Sequence, residues 1–209
     1  AGTGLSASLA TLFANQGMQV AVAARNPDKL TELVDQTGAR AYSCDASQRN
    51  DVEKLFDTVT HDLGDPHVVV YNPGARVRGP FVEIDPDRVR DALMITCYGG
   101  FLVGQRAARQ MLASGRGSIL FTGASASIKG YPQSASFAMG KFGLRGLVQS
   151  MARELAPSNI HVAHFVIDGG IASTGGRSGR QSGSDEWLDP DAIAETYLHI
   201  HRQHRSAWT

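Results

Sequence analysis

Short apolar runs alternate with amphipathic helical stretches along almost all of this 209-residue chain, and that alternation restricts its fold more than any single motif does. Runs at residues 19–23, 39–43, 67–71, 118–121 and 162–167 have the length of strands. Residues 67–71 (His-Val-Val-Val-Tyr) lack an in–out alternation, as expected when helices cover both faces of a parallel sheet. Between the runs, Leu9, Leu12 and Phe13, then Leu30, Leu33 and Val34, then Val52, Leu55, Phe56 and Val59 recur at helical spacing, so each set shares one face. Asn26 suits an N-cap with Pro27 at the first helical position, and Ser47 is expected to cap the third helix. Strands and helices in this order predict an α/β fold, a three-layer doubly wound parallel sheet. No repeat or linker divides the chain, so a single domain over 1–209 is expected. It opens on a glycine turn with no strand ahead of it and stops abruptly, so the first and last strands are expected to be missing from the sequence.

Composition narrows the partners. Twenty basic and twenty acidic residues balance, which gives no electrostatic case for nucleic acid or an anionic membrane surface. No apolar run approaches the roughly 20 residues that span a bilayer. Cys44 and Cys97 form neither a disulfide framework nor a metal-ligand spacing, which points to a reducing, cytoplasmic setting. His199, His201 and His204 read as a solvated helix end rather than a metal cluster, since no carboxylate or cysteine is near them in sequence; no metal is expected.

In a doubly wound sheet, ligands bind beyond the carboxyl ends of the strands. The loops around Gly4, Arg25, Asp45, Asn72 and 122–127 are all predicted to lie at that edge. Gly2, Thr3, Gly4 and Leu5 lead directly into a helix, and such a turn lets the helix N-terminus meet a phosphate, as in a Rossmann-like nucleotide fold. After the next strand stands Arg25 rather than a carboxylate. An arginine there can fork onto a ribose 2′-phosphate, which favours NADP(H) over NAD(H). Asp45, followed by Ala46, reads equally as an acceptor for an adenine amino group and as a capping residue. Asn72, Pro73, Gly74 and Ala75 form a turn at the same edge.

A long helix is expected over 87–114, where Gly99 and Gly100 imply close packing or a local irregularity. The helix after Pro132 carries Gly140, Gly143 and Gly146 at a spacing of three, which suggests a neighbour pressed close. Residues 172–186 read as a mobile loop near the substrate site or as a connector without a role. Asp189, Pro190 and Asp191 start a final helix with Ile193, Tyr197 and Ile200 inward.

These features in this order resemble the short-chain dehydrogenases/reductases over essentially the whole chain. Carrying the resemblance are Gly2-Thr3-Gly4-Leu5-Ser6, Ala24-Arg25-Asn26-Pro27, Cys44-Asp45-Ala46, Asn72-Pro73-Gly74 and the strand–loop–helix over 117–155. It implies binding of a nicotinamide cofactor by Gly2, Thr3, Gly4, Leu5, Arg25, Asp45, Ala46, Asn72, Gly74 and Lys141. It also implies a catalytic tyrosine, a lysine four residues later, a serine and an asparagine. Lys141 matches the lysine, but Phe137 stands at the tyrosine position, Ala124 at the serine position and Thr96 at the asparagine position. The last glycine of the family's first motif is Ser6, and the Pro-Gly expected after the sixth strand is replaced by Ile167-Asp168-Gly169-Gly170.

Losing a positioned acid and an oxyanion donor slows such a mechanism at least roughly a thousandfold. Ser125, one residue from the lost serine position, and Tyr131 are the candidate substitutes, with Ser134 and Ser136 also upstream of Phe137; Tyr131 reads equally as a rim residue. Two readings follow: an NAD(P)(H)-dependent oxidoreductase that delivers hydride to a carbonyl or activated double bond with a non-standard proton donor, or a catalytically silent nucleotide-binding homologue. The resemblance further implies a small-molecule substrate and a homodimer or homotetramer.

Overall fold

The predicted alternation takes shape as five strands and seven α-helices among residues 1–173 and 187–208, the part described by this computed structural model. They divide into two compact units.

The first unit comprises Ala1–Asp45, His61–Leu63 and Gly169–Thr209. Its helix α1 (Leu5–Asn15) buries Leu5, Leu9, Ala10 and Phe13, the face anticipated from the spacing. Strands β1 (Ala21–Ala24) and β2 (Arg40–Ser43) pair in parallel, with Ala21 opposite Arg40 and Ala24 opposite Ser43. Asn26 does cap, its Oδ1 accepting the Asp28 N–H at 3.0 Å, but it opens a 3₁₀ turn (Pro27–Leu30); helix α2 (Thr31–Thr37) starts only afterwards. Ala10, Val22, Leu30, Leu33 and Ala39 form a shared core around this strand pair. Asp189 accepts the Asp191 N–H at 2.9 Å and caps the last helix (Pro190–His201), which buries Tyr197 fully.

The second unit spans Ala46–Thr60 and Gly64–Asp168. Three parallel strands, β3 (Val68–Tyr71), β4 (Gly117–Thr122) and β5 (Ile160–Phe165), run in that order across its sheet. Ile119, Leu120 and Phe121 of the central strand are wholly buried, as a two-sided cover requires. Helix α3 (Arg49–Leu63) follows Gln48, which makes no side-chain cap bond; Ser47 is therefore not its cap, because the helix begins a residue too late for it.

The helix expected over 87–114 is interrupted. Helix α4 (Pro86–Leu93) passes into a π-helical turn (Met94–Tyr98) before α5 (Gly99–Ser114). The glycine pair explains the place. A Cβ on Gly99 would overlap the Tyr71 hydroxyl and lie 2.7 Å from the Ala46 carbonyl oxygen, so only glycine lets the helix backbone approach the end of β3. The Tyr71 hydroxyl donates to the Ile95 carbonyl inside the π turn. An extra residue in a helical turn rotates everything after it. Phe101, in the first turn of α5, is 39% exposed, whereas Met111 further along is fully buried.

Helix α6 (Ala135–Leu155) packs against this turn. A Cβ on Gly140 would come 2.9 Å from that of Thr96, and one on Gly143 would come 2.8 Å from the Cys97 sulfur. Gly146 faces open space, so two of the three spaced glycines make the close seam. No helix among the described residues is long and apolar enough to cross a membrane. The segment read as a loop over 172–186 falls, beyond Ser173, outside the described residues.

Candidate functional site

Helix α6 sets Phe137 and Lys141 one turn apart on one face, with the Lys141 Nζ 5.9 Å from the Phe137 ring centroid. Lys141 is almost wholly buried and donates to the Thr122 carbonyl at 2.6 Å, at the point where β4 ends. Burial lowers its pKa to about 8, so the ammonium form still dominates at neutral pH and keeps two protons for another acceptor. The Asn72-Pro73-Gly74 turn backs directly onto this head group. A Cβ at Gly74 would sit 3.5 Å from both Cε and Nζ of Lys141. A lysine presented this way beneath a glycine turn fits a ribose diol.

Thr96, at the asparagine position, is buried within the π turn. Its Oγ1 accepts the Ala75 N–H at 2.9 Å and so fixes the loop after the turn. Two serines at the start of α6 hold the same loop from the other side. Ser136 Oγ accepts from the Val77 N–H and donates to the Val77 carbonyl, both at 3.0 Å, and buried Ser134 accepts from the Arg76 guanidinium. Arg76 is thereby laid over the Phe137 ring, its Cζ 5.2 Å from the centroid. Desolvation against that ring, and then the neighbouring Arg78 charge, hold its pKa below the usual arginine value.

Beyond Thr122, hydrogen bonds to Ser127 and Ile167 fix the loop at Ala124 and Ser125. Ala124 is extended, and its N–H donates to Ser127 Oγ at 3.1 Å; the Ser125 N–H donates to the Ile167 carbonyl at 3.0 Å. The Ser125 side chain lies near the Tyr131 hydroxyl, as does Lys129. Lys129 lies with its Nζ 5.5 Å from the Tyr131 ring centroid and pairs with Asp168 at 3.5 Å. The Ser125 hydrogen bond, then that of Lys129, pull the exposed Tyr131 phenol below the usual tyrosine value. Tyr131 therefore partners Lys129 and Ser125, the two candidate substitutes forming one cluster. Beneath the loop, fully buried Ser127 lies 3.3 Å from His164 Nε2. Burial, reinforced by the Lys141 and Arg145 charges, lowers the His164 pKa to about 4, so this imidazole is neutral at physiological pH.

In the first unit, Gly4 precedes α1 without any side-chain cap bond, and the first turn of α1 holds no acidic residue. The Ala7 and Ser8 N–H groups bond the Gly4 carbonyl at 2.8 and 3.3 Å, and the positive end of the helix dipole at this start suits an anion. Nothing lies within 4 Å of the place a Cβ would take on Gly2, so Thr3 and Leu5 flank an open glycine turn. Arg25 is exposed just past β1, while Asp45 and Ala46 follow β2 half-buried. In this unit the start of α1 and the exposed Arg25 offer donors that fit the phosphates of a nucleotide. No group of three or more His, Cys, Asp or Glu side chains among the described residues is arranged to hold a metal.

Arg76, Lys129, Ser127 and His164 escaped the reading of the sequence. For Arg76 a signal existed: Arg76 and Arg78 alternate immediately after the Asn72-Pro73-Gly74-Ala75 turn, at the edge where ligands bind.

A family model described as enoyl-(acyl carrier protein) reductase matches residues 1–195. A short-chain dehydrogenase/reductase of Hericium erinaceus, eriH, is 34% identical over 170 residues, 77% of this chain and 68% of that protein. The crystal structure of a short-chain dehydrogenase from Rhodopseudomonas palustris superposes with a TM-score of 0.85 at 37% identity, covering 100% of this chain and 92% of the other. The fold is shared with a metagenomic short-chain oxidoreductase crystallised with NADP, at a TM-score of 0.83 and 22% identity, over 99% of this chain and 89% of the other.

Proposed function

The chain belongs to the short-chain dehydrogenase/reductase family of oxidoreductases, and from that premise we propose that it is an NADP(H)-dependent reductase of a small carbonyl or enone compound whose proton donor is Tyr131 instead of the residue at position 137. One observation carries the reading. Lys129 lies with its Nζ 5.5 Å from the Tyr131 ring centroid, and Ser125 and Lys129 together lower the phenol's pKa, a setting that suits acid catalysis by a tyrosine, although all three lie off the inherited positions.

When bound, NADPH supplies hydride at the nicotinamide C4. Lys141 is assigned the nicotinamide ribose, with the Gly74 turn below it, and the uncapped start of α1 is assigned the diphosphate. Tyr131 gives a proton to the oxygen or carbon that gains negative charge, Ser125 orients the phenol and the substrate oxygen, and Lys129 stabilises the phenolate left behind. Asp45 is assigned the adenine amino group, since Gln48 rather than an acidic residue stands at the N-cap of α3. Free Cys44 and Cys97 suit a reducing cytoplasm.

Self-association as a homodimer or homotetramer fits the second unit. Leu93, Met94, Cys97, Tyr98, Phe101, Met139 and Leu147 line an apolar groove of about 390 Å³, flanked by exposed Phe142. A second copy of this chain is the assigned cover for that face.

The test of the cofactor assignment is a titration of the protein with NADPH and with NADH. NADPH is expected to bind more tightly by roughly tenfold or more, the value of a charge-assisted bond from Arg25 to the 2′-phosphate, and Arg25→Glu is expected to reverse the order. Equal affinity for both nucleotides in the natural sequence would remove Arg25 from the site.

A further inference from the structure

Two of the three altered positions of the inherited site, Thr96 and Phe137, now shape the surroundings of Arg76. Thr96 fixes Ala75 through its N–H, Ser136 fixes Val77 at both backbone groups, and Ser134 accepts from the guanidinium itself. Phe137 supplies the flat face on which the guanidinium rests, 5.2 Å from its ring centroid. A guanidinium stacked and tethered in this way is preorganised, so little rotamer entropy is lost when its edge meets a ligand. One of its five N–H groups is used on Ser134, and the remainder of the fork is free to donate.

Arg78 lies close enough for its charge to add to burial in lowering the Arg76 pKa, yet no carboxylate among the described residues lies within salt-bridge distance of either. Two like charges held together without a counter-ion, with Arg76 over the residue that replaces the catalytic tyrosine and on the same ring as Lys141, describe an anion site. A single planar guanidinium fork pairs bidentately with a carboxylate.

We infer that Arg76, supported by Arg78, is a subsite over Phe137 for the carboxylate of the substrate, so that the compounds reduced are oxo acids or unsaturated acids rather than neutral ketones. The inference rests on the reductase reading for what happens next, but the binding it names is separable from turnover.

Isothermal titration with phenylglyoxylate and with its neutral methyl ester tests it, on the protein with and without saturating NADPH. The acid is expected to bind roughly tenfold more tightly than the ester, as a bidentate charge-assisted contact implies. Arg76→Met should abolish the preference, Arg76→Lys should keep part of it because the charge remains while the fork is lost, and Arg78→Gln should weaken it about twofold. Thermal melts of each variant establish that it is folded. Equal affinity for acid and ester in the natural sequence overturns the subsite, as does a preference that survives in folded Arg76→Met. A preference for the acid in a protein that does not bind NADPH would uphold the subsite and remove the reductase reading alone.

Discussion

Installing Phe137→Tyr together with Ala124→Ser is expected to raise NADPH-dependent carbonyl reduction by roughly 10²–10³. The basis is that the most demanding member of the inherited set is already in place. Lys141 is buried, tethered to Thr122 at 2.6 Å and set 5.9 Å from the ring at position 137, one helical turn away. Tyrosine adds only a hydroxyl to that ring, and the two cations near it, Arg76 and Lys141, both favour its phenolate. Position 124 is extended backbone at the end of β4, which serine adopts without strain. Groups that act as a unit do not contribute additively, so each single substitution should give much less than the pair. The measurement is kcat/KM on a carbonyl panel for a folded double variant. No gain would mean that position 137 does not face the reacting carbon and that the site has been rebuilt more deeply than three substitutions.

Tyr131→Phe is expected to lower turnover by ~10²–10⁴ while leaving NADPH affinity within about twofold, because a positioned acid acts on the chemical step and not on cofactor binding. Ser125→Ala should cost less, since the phenol itself survives. The pH profile supplies a second readout. Reduction needs the protonated phenol, and hydrogen bonds from Ser125 and Lys129 hold its pKa below the ordinary tyrosine value of 10.0. Activity should therefore decline with rising pH earlier than an unperturbed tyrosine would impose. Removing the cation with Lys129→Met raises the phenol pKa, so the decline should shift to higher pH. A Tyr131→Phe enzyme that retains most of its turnover would return Tyr131 to the rim of the site.

Much of this molecule could be read from the chain because the relevant contacts are local. The four-residue spacing of Phe137 and Lys141 required a shared helical face, and the Gly99-Gly100 pair required either close packing or an irregularity; the protein has both, against Tyr71 and Ala46 and in the π turn. What spacing cannot convey is the effect of that turn on everything after it. Phe101, in the first turn after it, is 39% exposed. Arg76 was illegible for another reason. Its placement depends on Ser134 and Ser136, which are 58 and 59 residues from the groups they hold, and on Thr96 from a separate helix. The Ser125–Tyr131 pair lies within six residues, but its loop conformation depends on Ile167 of a distant strand end, which fixes the Ser125 backbone.

The measurement closest to the central claim is deuterium transfer from stereospecifically labelled [4-²H]NADPH to a panel of carboxylate-bearing and neutral carbonyl and enone compounds, followed by mass spectrometry of the product. The account predicts that label from one face of the nicotinamide appears at a single carbon of an acidic substrate, and that the transfer is slowed in Tyr131→Phe. Tight NADPH binding with no label transferred to any member of the panel would contradict it and leave a nucleotide-binding protein without turnover.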